Sequence, residues 1–205
     1  MAKLKQIAID VVGWTGFWLA ILGSALLVWP FYFVRNFFRL MVGGGYFPLG
    51  IGLIVSDQLL KWWAVAYLKD RPAISLIESI LDLKYVENTG AAFGILRGQV
   101  HIFVIMAALT VAIIVLYLSM VEQEEPMVRL ALVLILGGAV GNLIDRVFLG
   151  HVIDYVYVHY RQDFEWPVFN LADSIIDVGV GMILIDFVVD FFRAETEEAR
   201  GEAGA

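Results

Sequence analysis

The sequence predicts an all-α membrane protein with several spanning helices, and three observations carry that expectation. Of its 205 residues, 60% are hydrophobic and 17% charged, whereas soluble domains average about 45–50% and about 25%. Mean hydropathy is +0.80. The apolar residues gather into long runs separated by short polar islands, and roughly 20 apolar residues suffice to cross a hydrocarbon core.

Taken in order, the first run covers residues 11–34, uncharged throughout, with Asp10 before it and Arg35 after it. It is longer than the apolar region of a usual cleaved signal peptide. A membrane anchor or extra spanning helix is the reading adopted for it. The alternative is an interfacial segment, which Phe31, Phe33, Phe37 and Phe38 beside Arg35 and Arg39 would suit. The second run, 40–56, ends at Asp57. Ile80-Leu81-Asp82-Leu83-Lys84-Tyr85-Val86-Glu87 then alternates with the period of a strand.

Runs three and four, 102–121 and 130–144, are joined by the charged turn Glu122-Gln123-Glu124-Glu125-Pro126. Tyr155-Val156-Tyr157-Val158-His159-Tyr160 is β-branched and aromatic, and Arg161-Gln162-Asp163 turns the chain after it. The last run, 175–189, is interrupted by Asp177 and Asp186. These boundaries divide the chain into an N-terminal extension (1–39), a core (40–193) and an acidic flexible tail (194–205). If the later four runs alternate in direction, the strand-like regions share one side. Asp57, Asp154 and Asp173 then lie at one membrane surface, with Trp62, Trp63 and Trp166 suiting an interfacial belt. Lysines and arginines are divided too evenly between the two sides to orient the chain.

Composition also excludes chemistry. The net charge is −7 and no basic cluster points to nucleic acid. With no cysteine, disulfides, thiolate metal sites and cysteine nucleophiles are ruled out. His151, Asp154 and His159 match no zinc spacing, and no serine stands in a nucleophile elbow. Neither metal nor cofactor is expected.

Polar constellations recur at the ends of the runs. Asp57 and Lys61, in Asp57-Gln58-Leu59-Leu60-Lys61, are spaced as an ion pair on one helix face; a snorkelling lysine fits equally. Asn88-Thr89-Gly90-Ala91-Ala92-Phe93-Gly94 reads as a turn that lets backbone approach closely. In Gly137-Gly138-Ala139-Val140-Gly141-Asn142-Leu143-Ile144-Asp145-Arg146, Gly137 and Gly141 form a small face for a neighbouring helix. Asn142 and Arg146 share a face one turn apart, positioned for buttressing or for substrate contact, while Asp145 neutralises or orients a neighbour.

Asp154 and Asp173 carry most meaning. Ionisable groups near lipid are costly unless paired or wetted, and two carboxylates sharing one proton supply a general base and a general acid. A blander reading makes Asp173 a helix N-cap and Asp154 the start of a strand. Asp177 adds a third acid one turn past Asp173. Asp186 lies about 20 Å deeper at about 1.5 Å per residue, too far to join that chemistry.

Together these segments resemble the lipoprotein signal peptidase family, the type II signal peptidases of bacteria. The matching motifs are Asp57-Gln58-x-x-Lys61, Asn88-Thr89-Gly90-Ala91-Ala92-Phe93, Gly137-Gly138-Ala139-x-Gly141-Asn142-Leu143-x-Asp145-Arg146, Gly150-His151-Val152-x-Asp154 and Phe169-Asn170-x-Ala172-Asp173-Ser174. They fall in the family's order over roughly residues 40–192.

The resemblance implies a four-helix transmembrane core with a small extracytoplasmic β cradle, here with an additional N-terminal membrane helix. It implies an aspartyl endopeptidase of the bacterial cytoplasmic membrane, active on its outer face. That enzyme would cut diacylglyceryl-modified prolipoproteins just before the lipidated cysteine. Asp154 and Asp173 match the catalytic pair. Asn88, Gly90, Asn142, Arg146, Asn170 and Ala172 match residues that bind substrate or support the site, and Asp57, Lys61 and Asp145 match structural polar groups. The expected partners are prolipoprotein substrates and membrane lipids, with the enzyme a monomer. Asp177 and the long N-terminal segment depart from the family's pattern. A proton-coupled transporter and a catalytically silent homologue that binds precursors are the alternatives.

Overall fold

A computed structural model of the chain describes residues 46–90, 98–120, 126–160 and 164–203. The predicted N-terminal membrane or interfacial helix, the 122–125 turn and the 161–163 turn lie outside the described residues. The described residues hold four helices: α1 (Tyr46–Leu68), α2 (Val100–Met120), α3 (Pro126–Phe148) and α4 (Leu171–Ala203). Strands β1 (Ile74–Ile77), β2 (Leu81–Asn88), β3 (Val152–Tyr160) and β4 (Phe164–Glu165) form one four-stranded sheet in that order, antiparallel throughout.

Among the described residues, three helical stretches are long and apolar enough to cross a membrane: Pro48–Leu68, Val100–Leu118 and Pro126–Phe148. Their outward faces are apolar, as Leu59, Ile105 and Ile113 show, and Phe187 on α4 is equally exposed. Apolar surface on this scale suits hydrocarbon, where helices satisfy their own backbone.

Helix α3 is the hub, packed against α1, α2 and α4. A Cβ at Gly138 would run into the Ala172 carbonyl oxygen and Ile176, and one at Gly179 would lie 2.7 Å from the Ala131 carbonyl. Backbone therefore touches backbone where α3 meets α4. Gly137 and Gly141, the predicted small face, turn instead to α1, meeting Leu53 and Asp57. Ile114, Leu118, Leu132 and Val133 form the core within the helices, and Ala64, Leu68, Ile153 and Tyr155 join α1 to the sheet.

The second predicted span needs correction. Asp57 does not end it: α1 runs on to Leu68, carrying Asp57 and Lys61 inside the helix, 0% and 1% exposed. Charges end a span only when they must reach water. Here each finds partners within the protein, so the helix continues. The other helices match their predicted runs with longer ends, and residues 194–203, read as a tail, continue α4 as helix to Ala203.

Local rules set the remaining boundaries. Pro126 opens α3 where a missing N–H costs no bond. Gly150, at φ 76°, ends it in the left-handed conformation, with its N–H bonded to the Arg146 carbonyl. The strand-like segments share one sheet, which puts both non-spanning regions at the same end of the bundle. Between Leu83 and Val86 the β2–β3 register slips by a residue. This bulge leaves Val86 opposite Asp154 and Asn88 opposite Val152, so Asn88 and Asp154 are diagonal neighbours on one face.

Candidate active site

Asp154 sits on β3 and Asp173 in the first turn of α4, and both line one cleft of about 340 Å³ at the sheet end of the bundle. The chain reaches α4 through residues 164–169, which run antiparallel beside β3. Trp166 N–H donates to the Val158 carbonyl, and Phe169 exchanges hydrogen bonds with Val156. That pairing delivers Asn170 next to Ile153 and Asp154.

The N-cap of α4 is Asn170, and Asp173 is the third helical residue. The Asp173 N–H donates to Asn170 Oδ1 at 2.9 Å, and the Asn170 N–H donates to Asp173 Oδ2 at 3.1 Å. This reciprocal pair is a capping box. It corrects the reading of Asp173 as the cap itself. The carboxylate does a capping job with one oxygen and offers the other elsewhere.

Three asparagines hold the two acids, each by the same device. Asn88 Oδ1 accepts the Gly90 N–H at 3.0 Å, so its Nδ2 faces Asp154 Oδ2 at 2.9 Å. Asn170 Oδ1 is taken by the helix N-terminus, so its Nδ2 faces Asp154 Oδ1 at 2.7 Å. Asn142 Oδ1 accepts Lys61 Nζ at 2.9 Å, leaving Nδ2 to Asp173 Oδ1 at 2.8 Å. In every case a fixed donor claims the amide oxygen and thereby aims the NH₂ at a carboxylate.

Lys61 is the anchor of this network. Its ammonium donates to Asp57 Oδ2 (2.9 Å), Asp145 Oδ2 (3.0 Å) and Asn142 Oδ1 (2.9 Å), which uses all three protons. Asp57 Oδ1 in turn accepts the Ala172 N–H at 3.0 Å, and Asp145 Oδ2 the Ile153 N–H at 3.1 Å. The buried ion cluster therefore grips the backbone directly before Asp173 and directly before Asp154. Gln58 closes it, donating to the Gly141 carbonyl and Asp145 Oδ1.

Burial is the largest influence on Asp154, which is 2% exposed, and the Asp173 charge acts in the same direction. Against them stand the amide donors of Asn88 and Asn170. The balance pushes the Asp154 carboxyl up to about 7, so it keeps its proton on the acid side of neutrality. Burial likewise pushes the Tyr155 hydroxyl up to about 12. That hydroxyl accepts the Leu171 N–H at 3.2 Å, bracing the start of α4.

The residues matched to binding or support divide into two groups. Asn88, Gly90 and Arg146 line the cleft beside the acids. Asn142, Asn170 and Ala172 lie behind it, buried, holding the acids from the rear. Asp57, Lys61 and Asp145 form the buried cluster below. Trp166, Pro167 and Val168 also line the cleft. Only Trp166 had been singled out from sequence, as a belt residue, because nothing in its local pattern shows which strand the segment follows.

Residues 49–192 match the family described as Signal peptidase (SPase) II. A lipoprotein signal peptidase of Symbiobacterium thermophilum is 43% identical over 141 residues, covering 69% of this chain and 92% of that protein. One from Halalkalibacterium halodurans is 39% identical over 153 residues, covering 75% and 97%. Among solved structures, a bacterial membrane enzyme determined by the in meso method at 2.3 Å superposes with a TM-score of 0.67 at 30% identity, covering 73% of this chain and 91% of that one. With a family match over most of its length, and with helices built to cross a bilayer, the chain belongs to the signal peptidase II family of bacterial membrane proteases.

Proposed function

We propose that the chain is an aspartyl endopeptidase that removes signal peptides from diacylglyceryl-modified prolipoproteins, cutting just before the lipidated cysteine. Asp154 and Asp173 are its catalytic pair. The observation that carries this reading is the placement of both carboxylates in one cleft by three oriented asparagines. The named activity of the relatives supports the substrate class. The acids stand at the ends of elements, unlike transporter acids held near the bilayer midplane in broken helices.

In this mechanism Asp173 takes a proton from a water lying between the carboxyls, and the water oxygen attacks the scissile carbonyl carbon. Asp154 gives its proton to the carbonyl oxygen as the tetrahedral intermediate forms. On collapse the C–N bond breaks and Asp173 returns its proton to the leaving amine. The intermediate's hydroxyl proton goes back to Asp154. The products are a signal-peptide carboxylic acid, which then ionises by releasing its proton to water, and a free cysteine amine, and no covalent enzyme intermediate forms.

We place α4 with α1, α2 and α3 as a four-helix membrane core, residues 40–193, with the sheet as an extracytoplasmic cradle. Residues 1–39 add a membrane helix, and the end of α4 continues past this core to Ala203. The site then lies where lipid meets water, so the acyl chains stay in the bilayer while the peptide bond is hydrated. Purified enzyme should cut a diacylglyceryl precursor at least about tenfold faster than the unlipidated one, since each buried CH₂ contributes about 0.8 kcal/mol to membrane partition. Product masses should place the cut before the cysteine. Equal rates, or a cut elsewhere, would remove the proposal.

A further inference from the structure

The cleft holds a third carboxylate that the chemistry above leaves unused. Asp177 lies one turn past Asp173 on α4 and lines the same cleft. Asp154 and Asp173 are each held by two N–H donors. Asp177 is exposed and, among the described residues, has no hydrogen-bond or ion-pair partner. Among the described residues that line the cleft, the cation Arg146 is not paired with it: Arg146 contacts the Asn142 carbonyl at 3.5 Å and the Phe103 ring, and its charge acts on Asp173, Asp154 and Asp145.

A substrate chain lying in this cleft covers Asp177. Stripping water from a carboxylate is unfavourable unless whatever covers it donates a hydrogen bond or brings a positive charge. Helix geometry fixes where on the substrate this demand falls. Four residues of α4 separate Asp177 from Asp173 by about 6 Å. An extended peptide advances about 3.3 Å per residue, so Asp177 stands beside the second residue from the cut. From there α4 continues into the apolar face of Val178, Leu184 and Ile185, the side on which an apolar signal segment runs.

Resting on the peptidase reading, we infer that Asp177 is a specificity-determining residue for this chain. It selects precursors that carry a hydroxyl, amide or ammonium donor two residues before the cut, and it disfavours a carboxylate there. It acts on binding and leaves the catalytic step alone.

The test measures kcat and KM for the wild-type protein and D177N on three diacylglyceryl precursors. These differ only in carrying Lys, Leu or Glu two residues before the cut. The wild type should show a KM for the Glu precursor about fivefold or more above that for the Lys precursor, the scale of a partly exposed charge pair. D177N should bring the two within about twofold with kcat nearly unchanged, and D177E should restore the preference. An unaltered KM ratio in D177N, or an equal fall in kcat on all three precursors, would overturn the inference and leave the peptidase reading standing. Failure of the wild type to cut any of the three would overturn both.

Discussion

D154N and D173N are each expected to lower the cleavage rate by at least about 10³-fold, within the range general acid–base groups contribute. Both should leave a folded, monodisperse protein. Asparagine keeps the shape of aspartate but cannot carry a transferable proton. In D154N no carboxyl remains to protonate the carbonyl oxygen, and in D173N none remains to take the proton of water. Each substitution also sets its new NH₂ against an N–H donor, because both oxygens of each acid accept N–H bonds. That mismatch should cost about 1–3 kcal/mol of stability, measurable by thermal unfolding in detergent and too small to explain the lost rate. A D154N or D173N protein that still cuts within about tenfold of wild type would mean that the pair is not the catalytic machinery.

The largest stability effect is expected at Lys61. Replacing it by methionine conserves much of its length but leaves Asp57 and Asp145 facing each other without the ammonium that separates them. Breaking a buried ion pair by removing one partner costs about 3–5 kcal/mol. The consequences extend to the cleft, because Lys61 also fixes the Asn142 amide that holds Asp173. K61M should therefore unfold at markedly lower temperature and lose cleavage even where it remains folded. Adding D145N, which removes one of the two stranded charges, should recover part of the stability. A K61M protein within about 1 kcal/mol of wild type would show that the cluster contributes little to holding the site.

How much of this was legible in the sequence depends on the range of the interaction that decides each feature. Apolar runs are local, so the helices were readable, and Asp154 and Asp173 stood out as acids between them. The alternation of residues 80–87 gave β2 within one residue. The end of α1 was misplaced because Asp57 and Lys61, besides pairing with each other, are satisfied by Asp145, Asn142 and the Ala172 N–H, far along the chain. Spacing within α1 cannot report such partners.

The cap of α4 is a different case, since Asp173 as N-cap was only the blander alternative. Asn170-Leu171-Ala172-Asp173 has the spacing of a capping box, in which Asn170 is the cap and Asp173 its reciprocal partner. Trp166 and Val168 line the cleft through the pairing of residues 164–169 with β3, and register across strands leaves no local trace. The opposed roles of Asn88 and Asn142, one in the cleft wall and one behind it, likewise depend on which donor captures each amide oxygen.

At the centre stand two carboxyls that act while sharing a single proton, with Asp154 pushed up to about 7. The pH dependence of kcat/KM on a diacylglyceryl precursor, followed from about pH 5 to about pH 9, tests that sharing most directly. Because Asp154 gives up its proton near about pH 7, the rate should fall above that point, approaching tenfold per pH unit as the remaining acid is titrated away. A rate that stays level or climbs through pH 9 would contradict the account, because the chemistry would then be proceeding with both carboxyls ionised.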